Sequence, residues 1–287
     1  MAEVRAQGFS NPEDWTPRLV ALDIDGTLLK WVEGAGMTYE QIESRVYDAV
    51  HRALDAGVHV VLASGRSPHG MTRVADLLDL RGQPDGSGER VWVVASNGAV
   101  LFRYPPLEVV HEETFDAGPA VKAVLERQPN ALVAVEERGV GYRVSGPFPE
   151  GELSGEMIQT DLDVIVAGPV SRVIIRDPEA SADDFVALAD ELGLHGTNYV
   201  VGWTAWLDLS PVGVDKASGL EHVARELGVE AADVLAIGDG RNDIEMLQWA
   251  GRGVAMGQAI QVVIDAADDV TASVYEDGAA VELEKYF

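Results

Sequence analysis

The sequence predicts an α/β protein with a parallel-sheet core that is interrupted by an inserted α+β domain. Apolar strand runs alternate with helical patterns early in the chain and again after Pro211. This strand–helix–strand order implies parallel strands joined by right-handed crossovers. From about Ala117 to Pro211 the runs are short, alternate in polarity and are separated by Gly and Pro. We therefore predict core residues 1–113, an insert at 114–209 and core residues 210–287.

The first core part contains three strand patterns and two helix patterns. The apolar run LVAL at 19–22 is typical of a buried strand. Thr38-x-x-Gln41 has the spacing of a capping box, and Gly57 suits the end of the helix that would follow. Ser67 with a proline after it favours a second helix start. The predicted elements are a strand at 19–22, a helix at 42–53, a strand at 58–63, a helix at 68–78, a loop at 82–88 and a strand at 91–95.

The insert combines short strands with two helices, and the βα rhythm then resumes. Trp203 and Trp206 are interpreted as packing residues rather than a platform for a ligand. The predicted strands of the insert lie at 132–135, 142–144, 164–166, 173–175 and 206–209, with helices at 120–127 and 183–191. The second core part is predicted as a helix at 216–227, a strand at 234–237, a helix at 244–250, a strand at 254–255 and a helix at 259–267.

Composition and charge narrow the class of protein. Hydrophobic residues make up 47% of the chain and charged residues 24%, as in soluble globular proteins. The chain has no cysteine, which excludes disulfides, thiol nucleophiles and thiolate zinc sites. Residues 1–18 show no apolar signal-peptide core and no membrane span is evident, so we expect a cytoplasmic protein. A net charge of −27 argues against nucleic acid or anionic membrane as a partner.

Two aspartates follow the first strand, with one residue between them. Because side chains alternate along a strand, Asp23 and Asp25 can face one side while Ile24 faces the other. Adjacent carboxylates repel unless a cation lies between them, and Mg²⁺ prefers such oxygen ligands. One carboxylate could then attack phosphorus while the other transfers protons. The alternative is an Asp pair that opens a turn or caps a helix.

A second acidic pair lies in the Gly-rich turn at 238–243. Asp239 and Asp243 bracket this turn, directly after an apolar run. The alternative is that Asn242 or Asp243 caps the helix that follows. The turn lacks the third glycine of a dinucleotide fingerprint, and the chain has neither a P-loop nor a Gly-x-Ser-x-Gly motif. The turn therefore predicts no nucleotide cofactor.

Three further positions supply groups for binding a phosphate or another part of a substrate. Ser64-Gly65 after a strand is typical of a hydroxyl-plus-amide anion site, and Lys216 at a helix start could supply a positive charge. The alternatives are a serine in a turn and a solvated lysine. Asn97 is a turn residue first and a substrate contact second. Because ligands bind at the carboxyl ends of parallel strands, we expect these groups to meet the aspartates there.

In order, these segments resemble the motifs of the haloacid dehalogenase superfamily of phosphohydrolases. The sequence DIDGT at 23–27 matches the first motif, Ser64 the second, Lys216 the third and GDGRND at 238–243 the fourth. The stretches ASGR at 63–66, SNGA at 96–99 and GVAMG at 253–257 narrow the resemblance to the Cof-type, sugar-phosphatase-like group.

The resemblance implies a Rossmann-like parallel-sheet core with an inserted α+β cap of type C2. It covers nearly the whole chain from Leu19 and is weak across the insert, which lies between the second and third motifs as in that cap type. Gln258 stands where this group usually has Asn. We expect its side chain to make no polar contact with the chemistry.

The resemblance also assigns roles to individual residues. Asp23 would attack phosphorus, and Asp25 would protonate the leaving alcohol and then activate water. The cofactor Mg²⁺ would be bound by the Asp23 carboxylate, the Asp25 backbone carbonyl and Asp239, with Asp243 bound directly or through water. The phosphoryl oxygens would be held by Ser64, Lys216, Asn242 and the Ile24 backbone amide. The substrate contacts would be Gly65, Arg66 and Asn97.

The implied activity is a Mg²⁺-dependent phosphatase that hydrolyses small phosphorylated metabolites, sugar phosphates above all, under a cap that closes as a lid. One alternative is a phosphomutase of the same superfamily, which would release no free phosphate. Another is a non-catalytic protein that binds phosphorylated metabolites. The last alternative is disfavoured because every reactive position is filled, by Asp23, Asp25, Lys216 and Asp239. The sequence indicates no oligomeric state.

Overall fold

The structure is a computed structural model that describes residues 15–32, 38–80, 90–137, 140–149, 151–192, 197–201 and 206–287. The predicted loop at 82–88, Trp203 and the first 14 residues lie outside this part. Across the described ranges, no helix combines the length and the apolar composition that a membrane crossing requires.

The described residues form alternating strands and helices. In chain order the strands are β1 (Leu19–Leu22), β2 (His59–Ala63), β3 (Val91–Ala95), β4 (Val100–Tyr104), β5 (Glu108–Glu112), β6 (Leu132–Glu137), β7 (Gly141–Val144), β8 (Glu156–Gln159), β9 (Val173–Arg176), β10 (Thr197–Val201), β11 (Trp206–Pro211), β12 (Val234–Gly238), β13 (Arg252–Ala255) and β14 (Asp269–Val270). The helices are α1 (Ser44–Asp55), α2 (Pro68–Leu77), α3 (Gly118–Arg127), α4 (Leu162–Ile165), α5 (Ala182–Leu192), α6 (Lys216–Leu227), α7 (Ile244–Trp249), α8 (Gln261–Ile264) and α9 (Gly278–Leu283).

The larger sheet has a parallel centre, as predicted. Its order within the described residues is β14–β13–β12–β1–β2–β3–β4–β5, parallel from β14 to β3 and antiparallel from β3 to β5. Every residue of β1 is buried. Val20 and Leu22 pack in one cluster with residues of α1, α2 and α9, whereas Leu19 and Ala21 pack in another with residues of α6 and α7. Helices thus cover both faces of β1, which explains its uniformly apolar sequence.

The smaller sheet is built from the middle of the chain. Its order is β10–β11–β9–β6–β7–β8, and its described neighbours are antiparallel except β7 and β8. It has its own apolar core, in which Val121 of α3 and Phe185 of α5 are fully buried. The insert boundaries at 114 and 209 remain a prediction, and β11 continues to Pro211.

The structure corrects three local predictions. The predicted strand at 164–166 is wrong, because the amides of Val164 and Ile165 donate to the Asp161 carbonyl and close the single turn of α4. A short apolar run does not distinguish strand from helix. The predicted capping box at Thr38 is also wrong, since α1 begins only at Ser44 and the Thr38 hydroxyl donates to a carboxylate elsewhere. The last predicted helix is helical only at Gln261–Ile264.

Candidate active site

The carboxyl ends of three adjacent strands bring the predicted site residues together. β1 lies between β2 and β12, with Leu22 in register with Leu62 and Ile237. Asp23 therefore leaves the sheet beside Ser64, which follows β2, and beside Asp239, which follows β12. All three polar residues are buried. Parallel pairing of the three strands thus brings together residues that are far apart in the sequence.

Lys216 is the cation at the centre of the site. Its Nζ donates to Asp23 Oδ1 at 2.7 Å and to Asp243 Oδ1 at 2.5 Å, and the residue is fully buried. Burial opposes its charge, but the two carboxylates outweigh burial and raise the pKa of Lys216 above its ordinary value. The ammonium therefore stays charged. Asp215 fixes the residue by capping α6, since its side chain accepts from the Ser218 amide at 2.9 Å.

Three carboxylates converge on the same place. Oxygen atoms of Asp23, Asp239 and Asp243 lie within 4.8 Å of one another, and all three residues are buried. Burial and the nearby Asp243 charge raise the pKa of Asp23 well above its usual range, even though Lys216 opposes the rise. The same two causes raise the pKa of Asp239 to about 7. The site thus holds more negative charge than one lysine neutralises, and its oxygen donors fit a hard divalent cation such as Mg²⁺.

Asp243 fixes the Gly-rich turn rather than capping α7. Its Oδ2 accepts from the backbone amides of Asp239 at 2.9 Å and Gly240 at 2.8 Å. No side-chain cap bond to α7 is formed. A Cβ at Gly238 would lie 2.5 Å from the Asp243 carboxyl carbon, so this position requires glycine. The helix-cap interpretation of Asp243 is therefore wrong.

Asp25 has a cationic partner of its own. Its carboxylate accepts from Arg66 Nε at 2.8 Å, from Arg66 Nη2 at 2.6 Å and from the Thr38 hydroxyl at 2.7 Å. Burial opposes the charge of Arg66, but the bonds to Asp25 prevail and raise the pKa of Arg66. The two aspartates that follow β1 are thus paired with different cations, Lys216 and Arg66. The Asp25 side chain lies outside the three-carboxylate cluster.

Four of the predicted phosphate and substrate residues are linked by hydrogen bonds, namely Ser64, Arg66, Asn97 and Asn242. Asn242 Nδ2 donates to Asn97 Oδ1 at 3.0 Å. The Asn97 amide donates to the Ser64 carbonyl at 3.1 Å, and the Ser64 hydroxyl accepts from the Arg66 amide at 3.2 Å. A Cβ at Gly65 would lie 3.0 Å from Asn97 Oδ1, so the two loops are in close contact.

The side chain of Ile24 is buried in the apolar core, which leaves only the backbone of this residue to face the site. Its carbonyl accepts from the amides of Thr27, Leu28 and Leu29 and closes the turn after β1. Gly26 in this turn has a φ of +88°, and a Cβ there would lie 2.1 Å from Asp239 Oδ2. The turn therefore needs glycine in order to approach the carboxylate cluster.

Gln258 is a site residue that the sequence prediction missed. Its Nε2 donates to Asp239 Oδ2 at 3.1 Å and to the Gly26 carbonyl at 2.6 Å. Its Oε1 accepts from the Val274 amide at 2.9 Å. The expectation that Gln258 makes no polar contact with the chemistry is therefore wrong. The sequence did carry a signal for this contact, since Gln258 stands where Asn is usual. Its longer side chain reaches both Asp239 and the Gly26 carbonyl.

Comparison with known proteins agrees with this geometry. The family model described as haloacid dehalogenase-like hydrolase matches residues 20–283. A phosphoglycolate phosphatase of Natronomonas pharaonis is 32% identical over 266 residues, which cover 93% of this chain and 96% of that protein. A 5-amino-6-(5-phospho-D-ribitylamino)uracil phosphatase of Bacillus subtilis is 27% identical, with coverage of 93% and 95%.

A solved structure agrees as well. A haloacid dehalogenase-like hydrolase from Bacteroides thetaiotaomicron superposes with a TM-score of 0.74 at 27% identity, covering 95% of this chain and 100% of that one. The family match extends over both sheets and all four motif segments. The chain belongs to the haloacid dehalogenase-like hydrolases.

Proposed function

We propose that the chain is a Mg²⁺-dependent phosphatase that hydrolyses small phosphorylated metabolites, sugar phosphates among them, through an aspartyl-phosphate on Asp23. The observation that carries the proposal is the fully buried Lys216, held 2.7 Å from Asp23 and beside two further carboxylates. A phosphoryl group needs positive charge around it, and this acidic chain concentrates that charge at one point. The relatives named as phosphatases support the same reaction.

In the first half-reaction, an Asp23 oxygen attacks phosphorus and the bond from phosphorus to the leaving oxygen breaks. Lys216 steadies Asp23 and neutralises charge on the phosphoryl oxygens, together with the Ser64 hydroxyl, the Asn242 amide and the Ile24 backbone amide. Asp25 gives its proton to the departing alcohol. This transfer requires a protonated Asp25, so the bonds that Arg66 and Thr38 donate to its carboxylate would open when substrate binds.

In the second half-reaction, water attacks phosphorus and the bond between phosphorus and Asp23 breaks. Asp25 accepts the proton of that water, which restores both aspartates to their starting state. Asp23, the Asp25 backbone carbonyl and Asp239 would hold Mg²⁺, with Asp243 beside it. The ion would supply the charge neutralisation that three clustered carboxylates lack.

The smaller sheet and its helices are proposed as a cap (residues 114–209) over this site. Gly65, Arg66 and Asn97 would meet the part of the substrate that leaves. We place the enzyme in the cytoplasm. Its substrates would be small esters, because a net charge of −27 disfavours nucleic acid and anionic membranes as partners. The named relatives act on phosphoglycolate and on a phosphorylated ribityl compound, and both are small phosphate esters.

The test is release of inorganic phosphate from a panel of phosphorylated metabolites with Mg²⁺ present. We expect free phosphate from at least one small ester and none from the Asp23→Asn variant. A phosphomutase would convert substrate without releasing phosphate. A chain that binds the esters but turns none over would contradict the proposal.

A further inference from the structure

The 3₁₀ turn that follows β3 (Ser96–Gly98, the β3 turn) touches three of the segments that form the site. The Asn97 amide donates to the Ser64 carbonyl at 3.1 Å, and Asn97 Oδ1 accepts from Asn242 at 3.0 Å. A Cβ at Gly98 would lie 2.0 Å from the carbonyl oxygen of Asp215, which caps α6. A shift of the β3 turn would therefore disturb all three segments together.

The conformation of the β3 turn needs support from its surroundings. Ser96 and Asn97 both have a φ of +52°, in the left-handed region that residues other than glycine rarely adopt. Both residues are buried. Such a conformation persists only where neighbouring contacts fix it. The contacts of the β3 turn thus decide whether Asn97 reaches Asn242.

One of these contacts comes from the smaller sheet. The Ser96 hydroxyl is the donor to the Glu136 carboxylate of β6, and its Oγ lies 2.7 Å and 2.8 Å from the two carboxylate oxygens. The side chain of Glu136 is only 7% exposed.

Glu136 is itself held in place by the smaller sheet. Arg172 Nη1 lies 3.6 Å from Glu136 Oε1. Arg172 is anchored by a bidentate pair with Asp208 of β11, with distances of 2.7 Å and 2.9 Å, and Tyr142 of β7 lies 3.3 Å from the same guanidinium. The carboxylate that meets Ser96 is therefore fixed by two further strands of its own sheet.

We propose that Glu136 is a positioning residue that holds the β3 turn through Ser96, and so couples docking of the proposed cap to the Asn97–Asn242 contact. This inference rests on the proposed phosphatase function, since it assigns Asn242 to the phosphate. When the cap moves away to admit substrate, the β3 turn loses its contact with Glu136. When the cap docks again, Ser96 and Asn97 return to the geometry that completes the site.

A double-mutant cycle between Glu136 and Asn97 tests the coupling. We expect Glu136→Ala and Asn97→Ala each to lower kcat/KM by about 10-fold, and the double variant to match Asn97→Ala alone, because Glu136 acts through Asn97. Ser96→Ala should reproduce the effect of Glu136→Ala without altering the Arg172 network. It replaces Glu136→Ala in the cycle if that variant does not fold. Multiplicative losses in the double variant would overturn the inference.

Hydrogen exchange of the β3 turn supplies a readout that does not depend on turnover. We expect faster exchange of the Ser96 and Asn97 amides in Ser96→Ala and Glu136→Ala, with the rest of the larger sheet unchanged. Glu137→Gln is the matched control, since its carboxylate pairs with Arg143 rather than Ser96, and it should exchange like the wild type. Wild-type exchange in all variants would overturn the inference.

The two readouts separate this inference from the proposed function. Absence of phosphate release from the wild type would refute the function, while the exchange data would still report on the contact. An active wild type with unchanged exchange in both variants would refute only the coupling.

Discussion

The amide nitrogen of Gln258 lies 3.1 Å from Asp239 Oδ2, and its orientation is fixed because the amide oxygen accepts from the Val274 backbone. Trp31 also donates to the Asp239 side chain. The Asp239 carboxylate is thus engaged by two neutral donors from the protein. Such partners orient a metal ligand without adding charge.

We predict that Gln258→Leu weakens Mg²⁺ binding by about 10-fold or more, because Asp239 loses the donor that orients it. Gln258→Asn should recover only part of the affinity, since the shorter side chain cannot reach Asp239 and the Gly26 carbonyl together. Titration calorimetry with Mg²⁺ alone measures this directly. Wild-type affinity in Gln258→Leu would show that the contact is incidental.

Lys216 should be indispensable for turnover in this acidic protein. We predict that Lys216→Met lowers kcat by at least about 10³-fold, because Asp23 and the phosphoryl oxygens lose their buried cation. Lys216→Arg should recover activity only partly, since a planar guanidinium does not replace a compact ammonium. Steady-state kinetics on protein shown to be folded is the measurement, because two buried carboxylates lose a partner.

Lys122→Met is the matched control for Lys216. Lys122 is an exposed residue of α3, far in sequence from every motif, and its removal also adds one unit to the net negative charge. It should leave kcat unchanged. Equal losses in the two methionine variants would mean that net charge, and not the buried ammonium, controls turnover.

The stabilising effect of Mg²⁺ should depend on pH. Burial and Asp243 raise the pKa of Asp239 to about 7, so its charge destabilises the metal-free fold above that pH and the penalty is relieved as the pH falls. Mg²⁺ needs the ionised carboxylate, and protons compete with it below about pH 7. We predict a larger rise in Tm on Mg²⁺ addition at about pH 8 than at about pH 6.

Differential scanning calorimetry with and without Mg²⁺ checks this dependence. Asp239→Asn removes both the titrating group and a ligand, so its Tm should respond weakly to Mg²⁺ at either pH. An equal Mg²⁺ shift at both pH values in the wild type would rule out Asp239 as the titrating ligand.

Much of the fold was predictable because its central strands can be identified from short apolar runs in the sequence. The strand LVAL at Leu19–Leu22 is buried on both faces. Polar residues follow the carboxyl ends of this strand, of β2 and of β12. Parallel pairing then places Asp23, Ser64 and Asp239 side by side without any knowledge of side-chain contacts. That step needs only strand order and direction.

The remaining features depend on contacts that a single sequence does not encode. α4 is one turn, too short for a helical period to be visible, so 164–166 resembled a strand. Thr38 looked like a cap, but the fold brings its hydroxyl to Asp25 instead. The Arg66–Asp25 pair joins residues 41 positions apart, and the bond from Gln258 to Gly26 spans 232. Only tertiary packing selects these partners.

The central claim is that Asp23 attacks phosphorus, and phosphate release by Asp23→Asn tests it most directly. The substitution keeps the shape of the side chain and removes the attacking charge, so with Mg²⁺ present we predict a fall in kcat of at least about 10³-fold, or about 4 kcal/mol of barrier. The variant should remain folded, since an uncharged residue replaces a carboxylate whose pKa is raised by burial and by Asp243. Phosphate release near the wild-type rate in folded Asp23→Asn would contradict the mechanism.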